Sequence, residues 1–431
     1  MTPRCHLPIT LAAAIVLSPT VLIAAKPEQP PASEVQILQP SAGAELAGAA
    51  EVRVKITPPE RGKGPLTVFC GIGGAPWTKM ESAGQAGEWS AEIDTTIVPN
   101  GSHEILIMTD EKRARGTGQV TLSNPLKVFF ADLHSHTGYS DGTLTPAIAH
   151  EYARDVAKLD VFCLTDHLEQ VDDTEWLDTR EVAWDFNEDG KFVVIPGLEW
   201  TKKWGHINLY DPKTRVWPED PKAFYRAIAD AGIVAKFNHP GTGEESHSGL
   251  EYSEVGDRAI QMIEVRRPEE EQAFIRALRL GWHIAPDGST DTHSSNWGNT
   301  SRWTGILAAG LSKRCIWDAL KKRHVYSTLD RNCRLFFTVN GATMGDILDE
   351  PTQEVEIAVV VEDADAGDTV AKIELFEDGE VVQTAEPNDS TCRWKTACSP
   401  ELGGHYYFAK VTQADGNMLW SAPVWVVVDG E

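Results

Sequence analysis

The rhythm of hydrophobic and polar positions changes twice along the chain. From Glu34 to about Asn124 apolar residues alternate with polar ones, as in Val52-x-Val54-x-Ile56, Val68-x-Cys70, Trp89-x-Ala91-x-Ile93 and Ile105-x-Ile107. A period of two marks strands with one buried face. Gly, Pro, Asn and Ser punctuate the runs as turns require. The pattern predicts an all-β, immunoglobulin-like sandwich over 34–124. From Pro125 to Asp330 short apolar runs alternate with stretches at helical spacing. Thr145-Pro146 opens a helix over Ala147–Lys158, with Thr as N-cap and Pro in the first turn. Further helices are predicted over Asp173–Phe186, anchored by Trp176 and Trp184, and over Pro221–Ala231, Pro268–Leu280 and Ser312–Arg323. Strands are predicted over Asp160–Leu164, Phe192–Ile195, His206–Tyr210, Ile233–Phe237, Ile260–Val265 and His283–Ala285. Strands alternating with helices imply a parallel sheet or barrel. Over 331–431 the period of two returns, with Leu335, Phe337 and Val339 in register and hairpin turns at Asn340-Gly341 and Asp378-Gly379. The expected fold is therefore multidomain: a central α/β domain over 125–330, flanked by two all-β sandwiches.

Composition narrows the function classes. The chain has 431 residues, 42% hydrophobic and 24% charged, which suits a globular protein of several domains. Its formal net charge of -25 argues against a nucleic-acid partner, since that binding rests on Lys and Arg displacing counterions. A small anionic or ester substrate needs only a local cluster of cations. At the N-terminus Arg4 precedes an apolar run, Leu11–Ala25, broken by Ser18-Pro19-Thr20 and ending in Ala24-Ala25. This reads as a signal peptide over 1–25, followed by a Pro-rich linker over 26–33, and predicts a periplasmic or extracellular protein. The run is shorter than the roughly 20 apolar residues a membrane span needs, and no later stretch is apolar enough, so no transmembrane segment is expected after signal removal. Export permits disulfides, and Cys392 and Cys398, flanking the segment TCRWKTAC, form the best pair. Cys163, in the apolar run VFCL, reads as a buried free thiol.

The chemistry is concentrated in the central region. In ADLHSHTGYSDG, residues 131–142, His134 and His136 stand one residue apart at the end of an apolar run. Alternate residues of a strand point the same way, so both imidazoles can face one metal such as Zn²⁺, Mn²⁺ or Fe²⁺. Asp141, His167, Glu199, His206, His239, Asp291 and His293 follow, each at or just beyond a strand end, where α/β barrels keep their active sites. So many nitrogen and oxygen donors exceed the needs of one ion and suit two or three. Glu199, in the middle of the order, is the natural bridge.

The motifs DLHSHTGYSDG, LTDH, GLEW, GHIN, NHP and DTH, in that order, resemble the PHP (polymerase and histidinol phosphatase) metallohydrolases, and most closely the branch named for carbaryl-hydrolysing enzymes, CehA/McbA. The resemblance covers about 128–330. It implies a distorted β/α barrel holding two to three divalent ions (Mn, Zn or Fe). A first ion would take His134, His136, Glu199 and Asp291; a second Glu199, His206 and His239; a third Asp141, His167 and His293. Lys236 and Arg302 are the favoured anion-binding cations, from a set that includes Lys202, Lys203, Arg266 and Arg267. Asp132 and Asp166 are expected to orient imidazoles, and Asp166 is also a candidate leaving-group acid. Trp200, Trp204 and Trp297 are expected to line the pocket, with core packing an equal reading for Trp200. The expected activity is that of an exported metal-dependent hydrolase acting on phosphoesters. The alternatives are a carbamate, ester or amide hydrolase on the same metals, or a surface-binding protein with structural metals.

Overall fold

The computed structural model describes residues 33–58, 67–110, 115–241, 246–365 and 367–429. The expected signal peptide, and the expected linker up to residue 32, lie outside the described residues. No helix among them is long and apolar enough to cross a membrane. The molecule is mostly β, in several sheets.

The N-terminal strands behave as their alternation requires. In Ala49–Thr57 every second residue is buried, and Val52, Val54 and Ile56 enter an apolar core of their own. Eight strands hydrogen-bond in one continuous order, from Glu34–Gln39 at one end to Ala44–Leu46 at the other. This unit leans on the start of the helix Lys313–Lys321. There Ser312 Oγ donates to the Ile97 carbonyl at 2.9 Å and Arg314 Nη1 to the Gly73 carbonyl at 2.5 Å.

Two sheets build the central region. One begins with Val193–Val194, Val161–Phe162 and Lys127–Asp132 in parallel, and continues through the antiparallel strands Trp303–Ala308 and Val325–Thr328. The other runs Gly197–Lys202, Gly205–Tyr210, Val234–Asn238, Ile260–Glu264, Ala285–Asp287, its last three strands parallel. Val234–Asn238 and Ile260–Glu264 are buried at every position, as strands covered on both faces must be. Two single β-bridges join the sheets, Ser135 to Thr292 and His167 to Glu199. The helix Asp173–Phe186 matches its expected bounds, closed by a capping box between Asp172 and Glu175. The helix opened by Thr145 ends at Asp155, and the Thr145 side chain makes no capping hydrogen bond.

The C-terminal strands do not stand apart. Val325–Thr328 pairs with Met418–Ser421, with Tyr326 opposite Ser421 and Thr328 opposite Leu419. The same sheet then passes through Gly403–Gln413 to Val370–Glu377 and Glu380–Ala385. A four-stranded sheet, which includes Arg334–Val339, Val355–Glu362 and Thr391–Cys398, faces it. One apolar core extends without a break from Val128 to Val428.

Two sequence expectations fail here. Cys392 and Cys398 lie on one continuous strand, Thr391–Cys398, and both are free and buried. At roughly 3.3 Å per residue their Cα atoms are about 20 Å apart, against less than about 7 Å for a disulfide. Trp176 is an anchor at 5% exposure, but Trp184 is 82% exposed on the solvent face of the same helix. Cys163 is free and buried, as expected.

Candidate metal centre

All nine sequence-derived donors converge where the two bridges join the sheets. They form three groups, two of which share His136: His134, His136 and Asp291; Glu199, His206 and His239; and His136, Asp141, His167 and His293. Backbone bonding places them. The Asp291 N–H donates to the His134 carbonyl at 2.8 Å and the His136 N–H to the Thr292 carbonyl at 2.9 Å. Asp291 (φ 56°) and His239 (φ 33°) hold the left-handed conformation, which costs a non-glycine residue energy and clusters at functional sites.

The spacings are those of atoms sharing a cation. Glu199 Oε1 lies 3.4 Å from His134 Nε2, 3.2 Å from His206 Nδ1 and 3.3 Å from His239 Nε2. Asp291 Oδ1 is 3.3 Å from His134 Nε2 and 3.2 Å from His136 Nε2. Asp141 is 3.1 Å from His293 Nε2 and 3.5 Å from His167 Nε2. Two ligands about 2.1 Å from one ion at a tetrahedral angle stand about 3.4 Å apart. Glu199 Oε2 and His206 Nδ1 are buried with no hydrogen-bond partner, so the donor set fits bound metal.

Grouping differs from the expectation at His136. Its Nε2 faces Asp291, while its Nδ1 lies 4.0 Å from Asp141 Oδ1, so one ring stands between two groups. The centre opens from the buried His134 toward Asp141 and His293, whose side chains are 46% and 37% exposed.

The field of the site favours positive charge. Burial alone would lower the His134 imidazole, but Asp291, Glu199 and Glu264 raise it to about 10. Burial would raise Asp291, yet His134 and His136 hold it down at about 2. Glu199 is likewise held well below the carboxylate range by His134, His167 and His206 against the cost of burial. A proton that three carboxylates hold this firmly marks a position that a divalent ion would take.

Several residues missed in the sequence orient the donors. His134 Nδ1 is 2.6 Å from Glu264 Oε1, an acid at the last position of its strand. Glu264 also accepts from Lys236 Nζ at 2.9 Å and from the His239 N–H at 2.5 Å, and pairs with Arg266 at 3.2 Å. Its place at a strand end, like that of the donors, was the available signal. Asn238 Nδ2 donates to Glu199 Oε1 at 2.7 Å, and His167 Nδ1 is 2.7 Å from Thr201 Oγ1.

Other expected roles change. Lys236 is fully buried between Glu264 and Asp287 and has no face for a substrate anion. Arg302 is half-buried ahead of Trp303–Ala308 and makes no ion pair with the donors among the described residues. Lys202 pairs with Glu169 and Glu219, while Arg266 and Arg267 both pair with Glu270. Asp166 accepts from the Thr137 N–H, Thr137 Oγ1 and Ser140 Oγ; it braces the loop rather than an imidazole. Asp132 does the same for Ser135 and Thr290. Trp200 stacks on Phe224 in the core at 3.8 Å, and buried Trp297 donates to the His136 carbonyl at 2.9 Å.

No protein-family model matches the chain. An uncharacterized protein of Chlamydia pneumoniae is 21% identical over 377 residues, covering 72% of this chain and 60% of that protein. An uncharacterized protein of Chlamydia trachomatis is 23% identical over 140 residues. The chain thus spans about three fifths of the first relative and, at 22%, about a fifth of the second. Among solved structures, the chain resembles a two-domain protein from Bacteroides vulgatus described as containing a predicted PHP-like metal-dependent phosphoesterase. Identity is 17%, the TM-score is 0.41, and the match covers 69% of this chain and 95% of that one.

Proposed function

We propose that the chain is a metal-dependent hydrolase of PHP type, exported, acting on small phosphoesters. The observation that carries the reading is Glu199, buried at the junction of the two sheets with four imidazoles within 3.4 Å of its carboxylate oxygens. Divalent ions bound by these residues would lower the pKa of a coordinated water and supply hydroxide near neutral pH. The chain prepares that site in identifiable ways. Glu264 takes the Nδ1 proton of His134 in a hydrogen bond and leaves Nε2 free as a donor to metal. Asn238 fixes the Glu199 carboxylate, and the open side at Asp141 and His293 admits substrate. The distorted-barrel reading is supported by the two bridges, which link the two central sheets.

One observation favours the second reading, cleavage of a carbamate, ester or amide. Most of the expected anion-binding cations are engaged elsewhere: Lys236, Lys202, Arg266 and Arg267 all carry carboxylate partners. Metal content measured beside turnover of phosphomonoesters, phosphodiesters and aryl carbamates, with Mn²⁺ or Zn²⁺, separates the readings. The expected result is at least two bound ions and phosphoester turnover, falling about 10³-fold or more in Glu199→Gln. Fewer than two ions, with rates indifferent to Glu199→Gln, would leave only a binding protein.

A further inference from the structure

The hairpin that carries Glu199 and His206 is met by a histidine outside the nine donors. His247 is 2% exposed, and its Nε2 lies 3.0 Å from the His206 carbonyl oxygen. Its ring packs edge to face on Phe237, with 5.0 Å between centroids. It also lies against the backbone of Gly205, where an added Cβ would run into the ring. A side chain at 205 would push His247 off the carbonyl, so the close approach needs glycine there.

The chain around His247 is held in a costly shape. His247, Ser248, Gly249 and Leu250 are all left-handed, at φ 50°, 52°, 71° and 58°. Residues other than glycine avoid that region and keep it only where their neighbours over-determine it. Here buried Trp282 donates its indole N–H to the Leu250 carbonyl at 2.8 Å and fixes the far end of the run. His206 is the donor that most needs such support. Glu264 stands behind His134 and Thr201 behind His167, each within 2.7 Å of a ring nitrogen. Among the described residues His206 has no such partner: its Nδ1, 3.2 Å from Glu199 Oε1, is buried without a hydrogen bond. Its aim has to come from its backbone. His206 is only the second residue of Gly205–Tyr210, beside the turn at Lys203-Trp204, and there the bond from His247 is what reinforces the start of the ladder.

We propose that His247 is a positioning residue for the ion held by Glu199, His206 and His239, a role that rests on the metal-dependent reading of the centre. It acts through the His206 carbonyl. The Nε2–H donated there holds the end of the hairpin, so the His206 imidazole keeps its place beside Glu199. Without that donor the carbonyl loses its partner, the ring drifts, and the ion is held by fewer ligands.

The test loads the full-length chain with Zn²⁺, dialyses it against metal-free buffer and counts the ions retained; Tm is read on the metal-free chain. Three variants are compared with wild type. In His247→Gln the amide nitrogen stands as many bonds from Cβ as Nε2 does and reaches the carbonyl; in His247→Asn it falls one bond short. In His247→Met the reach is kept and the N–H is lost. Wild type and His247→Gln are expected to retain the same number of ions, at least two. His247→Asn and His247→Met are expected to lose one of them, its affinity falling about tenfold or more. A merely structural role would rank the variants otherwise, because Asn suits a left-handed backbone better than Gln. The metal-free Tm of His247→Asn is therefore expected to equal or exceed that of His247→Gln, although it holds less metal. Either His247→Asn or His247→Met decides the matter if the other does not fold. Full metal content in either of them, or an equal loss in His247→Gln, overturns the role of His247 and leaves the metal centre standing. Fewer than two ions in wild type overturns the metal reading itself, and the role of His247 with it.

Discussion

At the residue scale the centre depends on buried charges that support one another. Lys236 lies between Glu264 and Asp287, and Glu264 in turn fixes His134. Glu264→Gln is expected to weaken metal retention 10–100-fold, roughly the effect of losing a partner behind a ligating imidazole. Metal content after dialysis reads this directly, and unchanged retention would remove Glu264 from the site. Lys236→Met strands two buried carboxylates and should destabilise the fold by about 3–5 kcal/mol, seen as a lower denaturant midpoint. His150 makes a separate prediction about pH. Its ring is packed against Phe162 and Phe186, neither nitrogen has a partner, and burial pushes its imidazole down to about 3. Unfolded, it titrates near about 6.5. Between these values only the unfolded chain takes up the proton, so this contribution is present above about pH 6.5 and is lost as pH falls toward about 3. His150→Leu should flatten the acid limb of Tm against pH in that window; an unaltered limb would mean that the ring is not held neutral.

At the element scale, strong local signals were legible and pairing was not. The helix Asp173–Phe186 is legible from its tryptophans, of which Trp176 is buried and Trp184 is not. Most of the nine donors fall just past a strand end, whereas Glu199 lies inside Gly197–Lys202 and His206 at the start of Gly205–Tyr210. Gly197–Lys202 lies beyond the strand that the pattern predicts over Phe192–Ile195. It is a strand of its own, antiparallel to Gly205–Tyr210. Trp303–Ala308 escaped notice because a strand buried at every position shows no alternation. Gly305 in that strand has a packing reason: an added Cβ would stand 2.1 Å from the ring of Tyr326. Gly305→Ala is expected to lower stability by about 3 kcal/mol in chemical denaturation, while wild-type stability would show that the Tyr326 ring can move aside.

For the whole molecule, the sequence marks a change of texture near Asp330, but the sheet crosses it. Local pattern cannot reveal that Val325–Thr328 requires Met418–Ser421, because periodicity reports burial and not partners. A fragment covering 125–330 should therefore fail to fold, whereas 125–431 should remain soluble and keep its metals, as circular dichroism and metal analysis would show. A well-folded 125–330 fragment would make the shared sheet incidental. The shared sheet also sets an order of events during synthesis. The edge at Val325–Thr328 is complete before the ribosome has made the strand that covers it. Until residues 418–421 emerge, that edge offers open backbone groups to any passing strand. A pause in translation within this interval would leave the central region assembled in part and prone to pair with the wrong neighbour.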